Sequence, residues 1–496
     1  MRDKALQVFT CYHHTLHREY TSNILTTSRN DQLILNFIKG HPDKKQTVHQ
    51  LLLFISIFLV ILLASVSISI YALDTEETNL PTIHDKNMDV QVVYKGLKFP
   101  TKMAFLGPND ILVLEKNEGT VQRIVNGVML SKPLVDINVS NSEERGMLGV
   151  ALGNNGTNDK SRNVFLYFTK PENQGTLRDP KNLASNNLYR FDLVNNKLVN
   201  PKVLLHLPSF RYSQHNGGDL LIGPDDNVYV IIGNVGGSYD EYHTKAKTQN
   251  YKGGIDPDGR GGILAMTQDG KSVYKGRILG GSFPLNLYYA YGIRNSFGID
   301  FDPVTGKLWS TENGGTNYDE LNLVEPGFNS GSQQVEGLST LHKGFSKSKL
   351  ETFHGKGHYS EPEFTWNKTV GPTAIKFLNS ETLGKQYKND LFVGDFHNGN
   401  LYHFDLDKKR TGLYLTGLLK DKIANNNTEL RNVLFGEGFG GITDIKVGAD
   451  GYLYILSLYQ GGDNCEITNK KSSDCVRYES DILGTIFRIV PKLNKN

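Results

Sequence analysis

One pattern recurs along most of this chain: an apolar strand, a turn rich in Gly, Pro and Asp, and a second apolar strand. The segments that carry it are TKMAFLGPNDILVLEK, MLGVALGNNGTNDKSRNVFLYFT, GDLLIGPDDNVYVIIGN, FGIDFDPVTGKLWSTENG, AIKFLNSETLGKQYKNDLFVGDF and ITDIKVGADGYLYILS. Many are followed by a third strand, such as GTVQRIV, GNLYHFDL or GTIFRIV. The turn residues adopt backbone conformations that β-branched residues resist, so each segment predicts a β-hairpin.

The repetition predicts how these hairpins assemble. A single small sheet cannot bury both of its faces, whereas several sheets stacked around an axis bury them and leave only short edges. We therefore predict an all-β fold, a six-bladed β-propeller over residues 89–492, with long loops inserted where the motif spacing is irregular. A pair of β-sandwiches is the alternative, but it would not require one motif to recur along the chain.

A long apolar segment precedes the repeats. Residues 51–72 read LLLFISIFLVILLASVSISIYA, carry no charge, and match the roughly 20 apolar residues that span a bilayer. Lysines precede this segment and acidic residues follow it (Lys39, Lys44 and Lys45; Asp74, Glu76 and Glu77). By the positive-inside rule, this order places the N-terminal side in the cytoplasm.

The apolar segment sets the expected domain organisation. We predict a single transmembrane signal-anchor helix at 51–72, after a cytoplasmic tail at 1–50 and before a linker at 73–88. A cleaved signal peptide is the alternative. The expected location is the cell membrane, with a single pass and an extracytoplasmic C-terminal domain. In that compartment Cys465 and Cys475 could form a disulfide, or remain two free thiols in a polar loop.

The charge of the chain argues against one class of partner. The formal net charge is +2, and the repeats carry no stripe of Lys and Arg. Binding to nucleic acid therefore has little electrostatic support, and we expect no nucleic-acid partner.

Five phrases within the repeats are more specific: EERGMLGVAL, HNGGDLLIGPDDNVYVIIGN, YAYGIRNSFGIDFDP, LWSTENGGTNYDELNLVEPG and GGITDIKVGADGYLYILS. They resemble the glucose/sorbosone dehydrogenase family, which includes the soluble quinoprotein glucose dehydrogenases. The resemblance covers about residues 90–490. It implies a propeller that binds pyrroloquinoline quinone (PQQ), held by a calcium ion, over the central channel. It also implies a quinoprotein dehydrogenase that oxidises an aldose sugar to its lactone and passes electrons to a separate, unidentified acceptor.

The same resemblance implies roles for individual residues. His215 of HNGG matches the catalytic base, and Arg294 and Asn295 of GIRNS match residues that contact the quinone. Gly314 and Gly315 of TENGG match positions whose backbone carbonyls bind calcium. These types suit the chemistry, because a neutral imidazole accepts a proton near pH 7 and a guanidinium fork fits carboxylates.

Three further residues are carried over from the family. Asp319 and Glu320 of YDELN match a second, structural calcium site, and Glu144 falls at a polar position on the substrate side. Calcium takes roughly six to eight oxygen ligands, which carboxylates and backbone carbonyls supply together.

The chain departs from the family pattern at four positions: Asn234, His397, Gly441 and Thr443. Asn234 stands where an Asp usually supports the catalytic base, and an amide cannot stabilise an imidazolium by charge. His397 replaces a Lys that contacts the quinone, while Gly441 and Thr443 replace a pair of Arg residues. Losing these cations weakens the binding of a ligand that carries carboxylates.

These departures leave more than one function open. The first is a quinone-dependent aldose dehydrogenase anchored at the outer face of the membrane. The second is a non-catalytic propeller that binds a carbohydrate or a protein at the cell surface. A calcium-dependent lactonase uses a similar propeller, but it would need carboxylates that converge on the channel, and the sequence shows no clear set.

Overall fold

The computed structural model describes residues 80–492, apart from 156–161, 173–182, 211–213, 237–244, 274–277 and 459–482. The chain divides into two units, Met1–Asn79 and Leu80–Asn496, and the described residues all belong to the second. The predicted tail and helix at 1–72, most of the linker, and the Cys465–Cys475 pair lie outside the described residues. Within the described part of the chain, no helix has the length and apolarity needed to cross a membrane.

Most of the regular secondary structure in the described part of the chain is β-strand. The strands up to residue 232 are β1 (Thr82–Ile83), β2 (Met88–Lys98), β3 (Pro100–Gly107), β4 (Asp110–Glu115), β5 (Thr120–Val125), β6 (Val128–Met129), β7 (Val135–Asp136), β8 (Met147–Asn155), β9 (Arg162–Pro171), β10 (Ala184–Val194), β11 (Lys197–Phe210), β12 (Leu220–Ile222) and β13 (Val228–Ile232). The strands that follow are β14 (Gly262–Met266), β15 (Tyr288–Tyr291), β16 (Ile299–Phe301), β17 (Leu308–Glu312), β18 (Asn317–Val324), β19 (Phe328–Asn329), β20 (His358–Tyr359), β21 (Phe364–Lys368), β22 (Pro372–Phe377), β23 (Leu391–Asp395), β24 (Leu401–Phe404), β25 (Ile423–Ala424), β26 (Leu434–Glu437), β27 (Ile442–Val447), β28 (Leu453–Ser457) and β29 (Leu483–Pro491). In the described ranges, the helical elements are one short α-helix, α1 (Asn427–Leu430), and 3₁₀ turns at Lys247–Gln249, Leu285–Leu287, Ser339–Leu341, Lys347–Lys349, Lys385–Tyr387 and Gly417–Asp421.

The described strands pair into six sheets. Their orders are β3-β4-β5-β6 with β7 beside β5, β11-β10-β9-β8, β12-β13-β14-β15-β19-β20, β16-β17-β18-β21-β25, β1-β26-β24-β23-β22 and β2-β29-β28-β27. The first strands of the hairpin motifs, β3, β8, β12, β16, β22 and β27, each contact the next one in this order, and β27 contacts β3. These strands therefore surround a central axis, and the prediction of an all-β, propeller-like fold is confirmed.

The recurring turns take the conformations for which their residues are suited. Asn109 between β3 and β4 has φ 53°, Asp226 between β12 and β13 has φ 69°, and Gly451 between β27 and β28 has φ 82°. Asn, Asp and Gly tolerate this left-handed region better than other residues. The strands that the turns connect are apolar and buried; all five residues of β13, for example, are buried.

Acidic side chains connect neighbouring sheets near the axis. Three aspartates each accept a backbone N–H from the first strand of the next sheet: Asp444 from Met103 at 2.9 Å, Asp219 from Ile299 at 2.8 Å, and Asp300 from Phe377 at 2.8 Å. A buried N–H on an innermost strand must find an acceptor, and these carboxylates supply one between separate sheets.

The last sheet combines strands from both ends of the described chain. Strand β2 pairs antiparallel with β29 from Met88 opposite Pro491 to Lys98 opposite Leu483. The end of the segment predicted to be a linker is also paired, since Thr82 and Ile83 of β1 lie against β26. The ring is thus closed by hydrogen bonds between an early strand and the latest one.

Candidate active site

A cavity of about 300 Å³ opens at one end of the ring, where the first strands begin and the second strands end. Most of the residues predicted from the family resemblance line it: Glu144, His215, Arg294, Asn295, Gly314, Gly315, His397 and Thr443. Asn234, Asp319 and Glu320 are not among the lining residues. The sequence therefore identified side chains that are distant along the chain and that face one space.

His215 lies in a tight loop immediately before β12. It has φ 59°, and the glycine at 217 has φ 65°. A Cβ atom at Gly217 would lie 2.5 Å from the backbone oxygen of Ile231, so this approach of loop to strand requires glycine. The loop holds His215 with only 5% of its surface exposed.

The imidazole of His215 is oriented by Asn234. Its Nδ1 lies 2.7 Å from Oδ1 of Asn234, which is also buried. The backbone N–H of Asn234 donates to the carbonyl of Arg294 at 2.8 Å, which fixes the amide in turn. If Nδ1 carries the proton and donates it to Asn234, the neutral ring has its lone pair on Nε2.

Glu144 and Lys116 both line the cavity, and their charges attract each other. The carboxylate of Glu144 accepts the backbone N–H of His215. Burial raises the pKa of Glu144 to about 7, although the His215 N–H opposes this shift. Burial likewise lowers the pKa of Lys116 to about 7, against the attraction of Glu144 and Glu143. Both groups can therefore exchange protons near neutral pH.

Arg294 lines the same cavity as His215. Its Nη1 donates to the carbonyl of Asn313 at 2.9 Å, and its Nε lies 3.5 Å from a carboxylate oxygen of Glu336. Two amide oxygens beside it, Oδ1 of Asn295 and Oδ1 of Asn313, are buried and have no hydrogen-bond partner among the described residues. Buried polar atoms of this kind usually find a partner, so a polar ligand in the cavity would satisfy them.

Carboxylates hold the glycine loop after β17. The N–H of Gly314 donates to Asp319 at 2.8 Å, and the N–H of Gly315 donates to Glu336 at 2.9 Å. These bonds fix the loop at the cavity wall, which both glycines line.

The structure places Asp319 and Glu320 in different surroundings. Asp319 is fully buried and accepts bonds from the N–H groups of Gly314, Val370 and Gly371 and from the hydroxyl of Thr369, at 2.6 to 2.8 Å. It therefore ties the loop after β17 to the segment before β22. Glu320 points instead toward Glu312, and Ser330 Oγ lies 2.5 Å from Glu312 and 3.3 Å from Glu320.

Glu312 is held beneath the loop of Arg294. It is 4% exposed and accepts the backbone N–H of Arg294 at 2.6 Å. Burial raises the pKa of Glu312 to about 7, and burial together with the charge of Glu312 raises the pKa of Glu320 well above its ordinary value. Two carboxylates that share one buried site favour a proton or a cation between them.

The wall formed by β22 and β27 carries few charges. His397 packs against Gly371, whose added Cβ would lie 3.2 Å from the imidazole Nε2. The Thr443 hydroxyl donates to the carbonyl of Leu456 at 3.4 Å. At the base of the cavity Lys102 donates to the carbonyl of Phe297 at 2.8 Å and lies 3.3 Å from Asp219, so its charge is already compensated.

The family model described as glucose/sorbosone dehydrogenase matches residues 97–465. The chain belongs to this family. Its relatives include the aldose sugar dehydrogenase of Escherichia coli, which is 24% identical over 385 residues, covering 77% of this chain and 93% of the relative. Quinoprotein glucose dehydrogenase B of Acinetobacter calcoaceticus is 28% identical over 271 residues, covering 51% of this chain and 54% of the relative. The PQQ-bound aldose sugar dehydrogenase of Streptomyces coelicolor shares the fold, with a TM-score of 0.54 at 22% identity over 83% of this chain and all of that structure.

Some site residues of this family member were not found by sequence reasoning. Three of them lie within or directly beside strands: Lys116, Lys102 and Glu312. A charged residue there is typical of the ordinary alternation of polar and apolar residues along a strand. Lys116 follows β4 in the phrase LVLEKNEG, where Glu and Asn flank it, so its charge gave no distinguishing signal. Their proximity to the cavity depends on how the sheets meet, which spacing along the chain does not encode.

Proposed function

We propose that this chain is a PQQ-dependent aldose sugar dehydrogenase that oxidises the sugar to its lactone, with His215 as the general base. The observation that carries the proposal is that His215 and Arg294, far apart in sequence, line one cavity. Oxidation of the sugar requires a group that accepts the hydroxyl proton. It also requires a cation for the carboxylates of the quinone, and both groups must face the same cavity.

The residues of the cavity fit this cofactor in part. Arg294 offers donors to a carboxylate. The oxygens of Asn295 and Asn313, which have no partner in the described part of the chain, mark polar positions beside it. Thr443 and His397 lie where the family pattern has cations, so we expect the quinone to bind more weakly than in family members that keep them. Bound in this cavity, PQQ would supply the acceptor for the hydride that leaves the sugar carbon.

Residues of this chain accept the proton of the sugar hydroxyl. With Nδ1 bonded to Asn234, His215 accepts the hydroxyl proton on Nε2. Asn234 orients the ring but adds no negative charge, so the imidazolium is less stable than beside an Asp. Glu144, with a pKa raised by burial to about 7, is positioned to bind a second sugar hydroxyl as donor or acceptor.

Calcium is part of the proposal. The carbonyls of Gly314 and Gly315 would hold the quinone-side ion. For the predicted structural ion, Glu320 and Glu312 offer two carboxylates that face one buried position, where a cation would offset their like charges. Asp319 instead uses its oxygens to accept the N–H groups of the neighbouring loops.

The proposed setting follows from the sequence. We count the six sheets as six blades. We place this domain outside the cytoplasm, anchored by the apolar segment 51–72, where a separate acceptor would collect the electrons.

The second candidate function is a non-catalytic propeller that binds a carbohydrate or protein. It is favoured by Asn234 and by the cations missing at Gly441 and Thr443.

One reconstitution experiment separates these functions. The full chain would be loaded with calcium and PQQ, and aldose oxidation followed with a reducible dye. We expect activity that His215→Ala abolishes and that His206→Ala, at an exposed histidine of β11, leaves intact. Failure to bind PQQ at about micromolar concentration would leave the non-catalytic candidate.

A further inference from the structure

A second group of metal-ligating side chains lies in the sheet that begins with β22. It consists of Asp390, His403 and Asp405. Asp390 comes directly before β23, His403 lies on β24, and Asp405 comes directly after β24. Leu391 pairs with Phe404 on the neighbouring antiparallel strand. The next pair of opposite positions, just beyond the strand ends, is therefore Asp390 and Asp405. No member of this group lines the cavity described above.

The distances within the group suit a small coordinated ion. The Nε2 atom of His403 forms a hydrogen bond with Oδ2 of Asp390 at 3.0 Å, which an ion would replace, and lies 3.8 Å from Oδ1 of Asp405. One ligand atom from each residue lies within 4.8 Å of the other two. Tetrahedral zinc with bonds of about 2.1 Å separates its ligand atoms by about 3.4 Å, between the two measured values.

The charge of the group calls for a cation. Like charges that face one another on adjacent strands repel. Among the described residues, the ion-pair partner of both Asp390 and Asp405 is the single imidazole of His403. Asp390 is only 9% exposed, so water screens its charge poorly.

The surroundings fix the imidazole and leave an entrance. The ring of His403 contacts the rings of Tyr387 and Phe392, each at 5.1 Å between centroids. Phe435 closes a third side at 6.0 Å. The Asp405 side chain is 56% exposed, which gives an ion a path from solvent and leaves room for water as a further ligand.

We propose that Asp390, His403 and Asp405 bind a divalent transition-metal ion of the zinc type, at a site separate from the cavity. The imidazole favours such an ion over calcium or magnesium, which prefer ligand sets made of oxygen alone. Bound there, the ion would join β23 to β24 at the end of the sheet and replace repulsion between the aspartates with attraction.

The test is a calorimetric titration of the metal-free full chain with Zn²⁺. Other His and Cys residues of the chain can also bind zinc, so the comparison is between variants. Asp405→Asn, at an exposed position, removes a ligand without disturbing the core, and Asp407→Asn is the matched control because its carboxylate lies outside the group and bonds Thr411. We expect Asp405→Asn to bind one equivalent of Zn²⁺ about tenfold or more less tightly than the wild type. The control should match the wild type.

A second measurement reports on geometry. With Co²⁺ in place of zinc, the wild type should show the visible absorption of a four-coordinate site, and both His403→Gln and Asp405→Asn should lose it. If His403→Gln does not fold, Asp405→Asn alone decides. The proposal is overturned if Asp405→Asn binds Zn²⁺ with the wild-type stoichiometry and affinity.

Discussion

The imidazole of His215 and the amide of Asn234 form a buried pair, with Nδ1 lying 2.7 Å from Oδ1. The pair has the geometry of a base and its orienting residue but lacks the charge of a carboxylate. In a serine-protease triad, exchanging the corresponding Asp for Asn lowers turnover about 10⁴-fold, a loss that includes the change of histidine tautomer.

Asn234→Asp should therefore increase the rate of aldose oxidation by the PQQ-loaded chain. We expect kcat to rise about tenfold or more while KM changes little, because the carboxylate stabilises the imidazolium that forms as the proton moves. The measurement is steady-state dye reduction. Introducing Asn234→Asp into the His215→Ala background is the control, since no gain is expected there; an equal gain in that background would contradict the role of His215.

Glu144→Gln should change how stability depends on pH. Burial raises the pKa of Glu144 to about 7, so the folded state favours its protonated form. The free energy of unfolding that this preference provides is fully present below about pH 4.3, the pKa of Glu in the unfolded chain. It is lost as the pH rises through about 7, where Glu144 ionises in the folded state. Gln stays neutral, so the variant should gain about 2–4 kcal/mol over the wild type between these pH values, measured by urea unfolding. A stability difference that does not vary with pH would contradict the raised pKa.

Thr443→Arg should strengthen the binding of PQQ. Thr443 lines the cavity on the wall that lacks cations, and a guanidinium there would pair with a quinone carboxylate. We expect affinity to rise about tenfold, which is worth about 1.4 kcal/mol. Direct binding to the calcium-loaded chain is the measurement, and Thr428→Arg, at an exposed position in α1, is the matched control. Equal affinity in Thr443→Arg and the wild type would indicate that the quinone does not approach this wall.

Asp319→Asn should destabilise the domain. The carboxylate accepts bonds from three backbone N–H groups and a hydroxyl, and an amide would present its own N–H groups to some of these donors. We expect a loss of about 2–4 kcal/mol, seen as a lower melting temperature. Asp136→Asn, at the exposed end of β7, should leave the melting temperature unchanged.

The sequence predicted the propeller because each hairpin is a local unit whose turn and strands obey local rules. The phrases around His215 and Arg294 likewise marked the cavity, since loops at equivalent positions of repeated sheets meet at one end of the ring. Asp319 and Glu320 show the limit of this reasoning. They are adjacent in sequence, but alternation along β18 sends one side chain to the loop before β22 and the other to Glu312. Which neighbour each side chain meets depends on contacts between sheets, and those contacts also brought Lys116 to the cavity.

The pairing of β2 with β29 has a consequence for biosynthesis. Met88–Lys98 emerges from the ribosome early, but its partner Leu483–Pro491 is made after every other described strand. Until then the early strand carries unsatisfied backbone donors and acceptors, and the last sheet is incomplete. The domain can therefore reach its native state only after synthesis is essentially finished, and a nascent chain cut short before residue 483 would leave an open, aggregation-prone edge for chaperones and proteases to recognise.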